Sequence, residues 1–408
     1  MTTTSPAVTS ADAADASAAQ PAAATPSTHE NIAPAPTGNR WIARLAIVAF
    51  ALVLFAWPDV IGDPTRTRQW AEYLCYAMVA VGIDIAWGYG GMLALGQGVF
   101  FGLGAYCMGM YLSLEQVEPG RLPQFMALYG NQSELPLIWR PFEHLWFAGA
   151  AALLVPMLVA GLLGWLVFRR RIRGPYFALL TQATALIFWL LLVGQLTVTA
   201  GTNGLTNFST IFGRSKYEPD TNRFLFGLAA AGLLAVLLIG RQLVRSRFGR
   251  LLVATREGED RVRFLGYDPA VVKTVAFVVA AGMAGLAGAL AAPIIGIVAP
   301  NQFAVLPSIL MITWVAIGGR GTLYGAVLGA LLVSWGKTSV SESRPDDWMY
   351  VQGLLFVVVV AYAPGGLLGL LRSARELVGR RFARAGGDAG TAPSALPDTV
   401  PETFEVAT

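Results

Sequence analysis

From Trp41 to Leu371 the chain is a succession of apolar stretches separated by short polar connectors. Many approach the length of roughly 20 apolar residues that a helix needs to cross a bilayer. No other feature constrains the fold as strongly. In lipid each backbone amide and carbonyl must be satisfied within the protein, and here that requires a bundle of helices. The expected spans are Trp41–Trp57, Trp70–Trp87, Leu93–Leu114, Leu145–Phe168, Tyr176–Val198 and Phe224–Gly240, then Val271–Val298, Val305–Ile317, Leu323–Trp335 and Tyr350–Leu371. The fold class expected is therefore an all-α polytopic membrane protein of about ten transmembrane helices.

Composition agrees. Only 13% of the residues are charged and mean hydropathy is +0.56, whereas soluble domains are about 25% charged. Cys75 and Cys107 lie far apart in apolar stretches and read as buried small side chains rather than as a bridge. With only His29 and His144 the chain offers no zinc-type cluster, so no metal is expected.

Residues 1–40 are mostly Ala, Thr, Ser and Pro, which predicts a disordered tail. Their order lacks the charged start, apolar middle and cleavage site of a signal peptide. Residues 41–371 form the expected transmembrane domain. Residues 372–408 form a second tail, basic and then disordered.

Charge orients the spans, because cytoplasmic loops are enriched in Lys and Arg. Arg169, Arg170, Arg171 and Arg173 place their loop inside, and Glu115, Glu118, Glu134 and Glu143 place the preceding loop outside. Counting in both directions puts both termini in the cytoplasm. The basic tail with Arg372, Arg375, Arg380, Arg381 and Arg384 then falls inside, provided Val305–Trp335 is two passes turning at Gly318–Thr322.

The same count places the polar segment 243–269 inside. Residues 248–264 have helical periodicity, with Leu251, Leu252, Thr255, Glu259 and Val262 near one face. They are expected to form one rigid lever, on which Glu257 pairs with Arg261 at i,i+4. Arg250, Arg256, Arg261 and Arg263 are candidates to pair with carboxylates of a docked ATPase. The other reading of this segment is a basic loop on anionic lipid.

Two glycine-rich turns interrupt the spans, at Trp87–Tyr106 and Ala316–Ala330. Glycines four apart, as at Gly98/Gly102 and Gly321/Gly325/Gly329, let helix backbones approach closely. Alternatively, Gly88, Gly91, Gly96, Gly98, Gly318, Gly319 and Gly321 break helices where these line a cavity. Asp84, an acid within a span, is either functional or reaches water at the cytoplasmic end.

Enzyme readings fail. Gly336-Lys337-Thr338 resembles the end of a phosphate loop, but the earlier glycine position is Leu331. No Ser/His/Asp set or carboxylate pair shares an apolar pocket, so neither catalytic residues nor a cofactor is expected. No nucleic-acid partner is expected either.

Three runs carry a family resemblance. Gly-Tyr-Gly-Gly-Met-Leu-Ala-Leu-Gly-Gln-Gly (88–98), the Arg-rich cytoplasmic segment, and Gly-Gly-Arg-Gly-Thr-Leu-Tyr-Gly-Ala (318–326) together resemble permeases of bacterial ABC importers for branched-chain amino acids and urea. Glu259–Pro269, Thr313–Thr322 and Thr202–Thr206 look most like the larger permease subunit of the urea importer. The resemblance covers roughly Trp70 to Leu371. It implies a fold like that of the vitamin B12 importer's ten-helix half in the bacterial inner membrane. It also implies a second, homologous permease, two cytosolic ATPase subunits, and a periplasmic or lipid-anchored binding protein. Where relatives usually carry His, this chain has Gln97, which keeps a donor and an acceptor but cannot titrate. Where they often carry a second asparagine, it has Thr202.

The function that the resemblance implies is import of urea, or a short amide, driven by the separate ATPase subunits. Urea is uncharged, so its pathway would present paired amide and hydroxyl groups. Gln97, Asn203, Thr206, Thr313 and Trp314 fit that chemistry, although each is equally able to satisfy the backbone of a broken helix. The rival substrate is a branched-chain amino acid. The rival class is a stand-alone channel or secondary carrier, disfavoured by the coupling-like segment and by the scarcity of acids within the spans.

Overall fold

The computed structural model describes residues 54–58, 62–117, 121–129, 135–172, 174–216, 218–344, 347–362 and 365–369. The expected tails, most of the expected span Trp41–Trp57, and Arg173 lie outside these residues. Eleven helices carry the architecture: α1 Pro64–Ile83, α2 Gln97–Glu115, α3 Leu145–Arg169, α4 Pro175–Gly194, α5 Pro219–Arg245, α6 Arg247–Glu257, α7 Glu259–Phe264, α8 Pro269–Ile295, α9 Val305–Gly318, α10 Leu323–Ser343 and α11 Trp348–Tyr362. Five of these, α3, α4, α5, α8 and α10, are long and apolar enough to cross a membrane. The expected spans from Trp70 onward each overlap one of α1–α5 or α8–α11, the last of them only as far as Tyr362.

The centre is α8. Its sequence is largely Ala, Gly and Val, so neighbours can approach it from several sides, and it packs against α3, α2 and α1. Its glycines set the spacing. A Cβ on Gly288 would stand 1.7 Å from the Phe101 carbonyl oxygen, and one on Gly104 of α2 would stand 2.0 Å from that of Gly285. α1 joins this centre to α5 and α10, and α9 packs on α10. That last crossing is also glycine-made: a Cβ on Gly318 would lie 1.9 Å from the Gly325 oxygen, and one on Gly329 2.1 Å from the Trp314 oxygen. On the outside, α3 and α4 expose Leu158, Leu162, Leu179 and Ile187. An outward leucine surface of this kind suits contact with lipid.

Capping follows simple rules. Asp63 accepts from the Thr65 amide at the start of α1, and Asp268 does the same for Ala270 at the start of α8, each followed by proline at the first helical position. α8 ends on Gly296 in the left-handed conformation. There the Arg68 guanidinium donates to the Ile294 and Ile295 carbonyls, cations being favoured at a helix C-terminus.

Most boundaries differ from the expected spans by a few residues, and three of the differences bear on the site. α2 begins at Gln97 rather than Leu93, because Gly91 takes φ +69° and the extended chain is held by Thr181, whose hydroxyl accepts the Leu95 amide at 3.0 Å. α4 ends at Gly194, and the chain continues as a short turn, Leu196–Thr199, before Ala200 takes φ +63°. α10 extends to Ser343, well past Trp335.

Candidate functional site

The polar segment 243–269 folds as α6 and α7, not as one lever. Gly258 adopts an extended conformation between them and ends the helical register. Glu257 consequently lies 3.5 Å from Arg256, in place of the expected pair with Arg261, while Arg263 binds Asp260 at 3.2 Å. Ser246 caps α6 by accepting the Gly249 amide. The pair seats itself on the bundle through Leu252, Thr255 and Val262, all buried, and through Lys273 of α8, which binds Glu259. Of the periodic face expected there, Leu251 and Glu259 are half-buried.

The arginines divide. Arg250 and Arg261 are exposed, and Arg263 is half-exposed beside Asp260. Arg256 turns inward: its guanidinium donates to the Gly88 carbonyl, and its aliphatic stem crosses Gly91, where a Cβ would come within 2.6 Å of it. At the end of α7 and just past it, Phe264, Leu265 and Tyr267 stand exposed, Phe264 at 91%.

Gly88 and Gly321 meet at this same end of the bundle. After α1 the chain makes a π-helical turn, Asp84–Tyr89, a geometry common at functional positions. Asp84 is fully buried, and its Oδ1 accepts the Gly321 amide at 2.7 Å. Gly88 allows the approach, since a Cβ there would lie 2.1 Å from that Oδ1 and 2.5 Å from the Gly321 nitrogen. Arg320 places its guanidinium 4.8 Å from the Trp87 ring centroid. The expected glycines take different parts. Gly91, Gly319 and Gly321 have positive φ, whereas Gly88, Gly96 and Gly318 serve close approach. Gly98 lies in the first turn of α2, where its amide donates to the Ser308 hydroxyl at 3.1 Å.

The five candidate pathway residues fall into two places. Gln97 is fully buried, donates from Nε2 to the Ala280 carbonyl at 3.2 Å, and has a buried Oε1 without a partner. Thr313 and Trp314 are buried on α9; Thr313 accepts from Gln352 of α11 at 3.0 Å, and Trp314 lies 5.0 Å from the Tyr76 ring. Tyr76 also meets Phe101, one turn along α2 from Gln97, so α1, α2 and α9 converge here. Asn203 and Thr206, by contrast, are exposed on a loop at the other end of α8, roughly 40 Å from its start at the 1.5 Å rise of a helix. Paired amide–carbonyl bonds between Leu205 and Val298 fix that loop. Beside it Glu115 accepts the Phe212 and Gly213 amides, holding the hairpin of β1 (Thr210–Ile211) and β2 (Arg214–Ser215). Lys216, just after β2, has its ammonium pushed below the ordinary lysine range by burial and then by Arg68.

Sequence reading did not single out Tyr76, Glu72, Ser308 or Gln352. Glu72 is a second acid within the expected span Trp70–Trp87 and accepts the Tyr76 hydroxyl. The glutamate four residues before a tyrosine was the available signal.

Apolar helices long enough to cross a membrane, broken at glycines where a short amphipathic helix pair packs, define a membrane-embedded helical bundle. The comparisons with known proteins agree. Residues 71–360 match the family described as the branched-chain amino acid transport system permease component, and the chain belongs to that family. It is 29% identical over 369 residues to the high-affinity branched-chain amino acid transport system permease protein LivM of Salmonella typhimurium, covering 85% of this chain and 80% of the relative. LivM of Escherichia coli K12 is 29% identical over 371 residues, with the same coverage. LivH of Salmonella typhimurium is 23% identical over 304 residues, covering 72% of this chain and 91% of the relative. These relatives are transport subunits, not enzymes. No solved structure matches the chain.

Proposed function

We propose that the chain is the permease subunit of an ATP-driven importer of branched-chain amino acids, crossing the bacterial inner membrane ten times with both termini in the cytoplasm. The observation that carries this reading is the likeness to the two LivM proteins over 85% of the chain. The vitamin B12 importer's permease is the fold we expect it to share. Residues 243–269 face the cytoplasm and receive an ATPase: the buried side of α6 and α7 holds them to the bundle, while Arg250, Arg261, Phe264 and Leu265 remain outward. The partners are a second, homologous permease, two cytosolic ATPase subunits, and a periplasmic or lipid-anchored binding protein. Membrane lipid covers α3 and α4.

Urea is the second reading. It is favoured by the uncharged amide and hydroxyl groups of Gln97, Thr313 and Gln352 on converging helices. The test expresses the chain with its neighbouring transporter genes in a urease-positive host that lacks its own leucine and urea uptake. Radiolabelled leucine and urea are then supplied at low concentration. Leucine uptake displaced by excess isoleucine and valine, but not by urea, is the expected result. Uptake of urea alone would replace the substrate and keep the importer. Uptake of either that persists without the ATPase genes would make the chain a channel or carrier.

A further inference from the structure

We infer that Asp84 and Arg256 form a relay that carries movement of the α6–α7 pair into α9, where Thr313 and Trp314 lie. The inference rests on the permease reading and adds to it the route by which the bundle is driven. Both are positioning residues, since neither is placed to touch solute.

The route is continuous in contacts. Arg256 of α6 donates to the Gly88 carbonyl in the π-helical turn. Gly88 has no side chain and lies against the Asp84 carboxylate and the Gly321 amide together. Asp84 accepts that amide at 2.7 Å, which fixes the turn between α9 and α10. The Asp84 carboxylate is buried and also faces the Thr322 amide and the positive charges of Arg256 and Arg320. Bonds with one ionised partner are the stronger kind, and they stiffen in a low dielectric. From Gly321 the chain runs back into α9, a rigid element that carries Trp314 and Thr313 within two turns. At the same turn, a Cβ on Gly319 would lie 2.7 Å from the Gly365 oxygen, so the segment after α11 is held there too. A displacement of α6 therefore cannot leave the α9–α10 turn behind without breaking either the Arg256–Gly88 bond or the Asp84–Gly321 bond. The side chains of Leu252 and Arg256 supply the grip, with Leu252 packed on Gly90 and Arg256 on Gly91. The exposed Arg250 and Arg261 have no part in this route.

The experiment uses the whole importer, purified with its partner permease, ATPases and binding protein and placed in proteoliposomes. Radiolabelled leucine uptake and ATP hydrolysis are measured on the same preparation. Arg256→Ala and Asp84→Ala should keep the ATPases co-purifying at the wild-type ratio, yet lower the leucine moved per ATP by at least about fivefold, the low end of a typical coupling between two sites. Arg256→Lys, which keeps a cation and a donor, should restore much of the ratio, as should Asp84→Asn, which keeps an acceptor for the Gly321 amide. Should Asp84→Ala fail to insert, Arg256→Ala carries the test, because it alters a side chain that is 28% exposed. An unchanged ratio of leucine to ATP in Arg256→Ala overturns the relay and leaves the permease reading standing. Loss of the ATPases from the Arg256→Ala complex also overturns it, making Arg256 a docking residue. A wild-type complex that binds its ATPases but moves neither leucine nor urea overturns the import reading and the relay with it.

Discussion

At the scale of single residues, the tightest constraints come from atoms that are missing. Gly288 and Gly104 let α2 and α8 touch backbone to backbone, and no rotamer choice relieves a Cβ held 1.7 Å from a carbonyl oxygen. Gly288→Ala should force the helices apart and cost about 1–3 kcal/mol or more of stability. Gly161→Ala, where the nearest atom is a Val278 methyl at 3.5 Å, should be nearly neutral. Thermal midpoints in one detergent compare the two directly. Charge imposes a different constraint near the end of α8. The folded-state pKa of Lys216 lies below the ordinary 10.5, so the folded protein binds its proton less tightly than the unfolded chain does. The ammonium therefore costs stability at low pH, and that cost fades as pH rises from the lowered value toward 10.5. Lys216→Met should flatten this rise in a melting series against pH.

Among elements, α6 and α7 are short, and neither would persist alone in water. They exist because Leu252, Thr255 and Val262 are buried on the bundle and because Lys273 binds Glu259. Their outward side contributes little to stability. Phe264→Asp with Leu265→Asp should leave the thermal midpoint almost unmoved, within about 0.5 kcal/mol for exposed sites. The same pair should abolish co-purification of the ATPase subunits, because these are the most exposed apolar side chains of the segment. Retained ATPase binding would remove this surface from the docking site. The helical period at 248–264 was legible in the sequence, and so was the buried side. The break at Gly258 was not, because the chain there is extended, a shape open to any residue, and only the seating of each half on the bundle selects it.

For the whole molecule, the topology can be read from chemistry at two points. Cys75 and Cys107 are free and buried, so they give little background to a thiol reagent that cannot cross the membrane. Arg250→Cys and Asn203→Cys both replace exposed side chains, at opposite ends of α8. With both termini cytoplasmic, Asn203→Cys should react in intact spheroplasts, and Arg250→Cys only after the membrane is opened. The reverse pattern would invert the orientation, and reaction of both from outside would break the ten-span count.

The sequence by itself determined the class, the approximate places of the apolar helices among the described residues, and the family. Lipid compatibility and period are properties of local composition, and glycine spacing needs no partner to be seen. It also located the arginine-rich segment and the two glycine turns, because each is a contiguous run. What only the tertiary structure decided is which of these distant runs meet. Asp84, Gly88, Arg256 and Gly321 span most of the chain, and the bonds joining them depend on packing around α8. Arg256 reads in sequence as one more outward cation on a basic segment. Its inward turn is set by a carbonyl that lies 168 residues away. Likewise Gln97 and Thr313 fall near Tyr76, while Asn203 and Thr206 fall at the far end of the bundle, because distance along a folded chain follows the crossing of helices rather than their order.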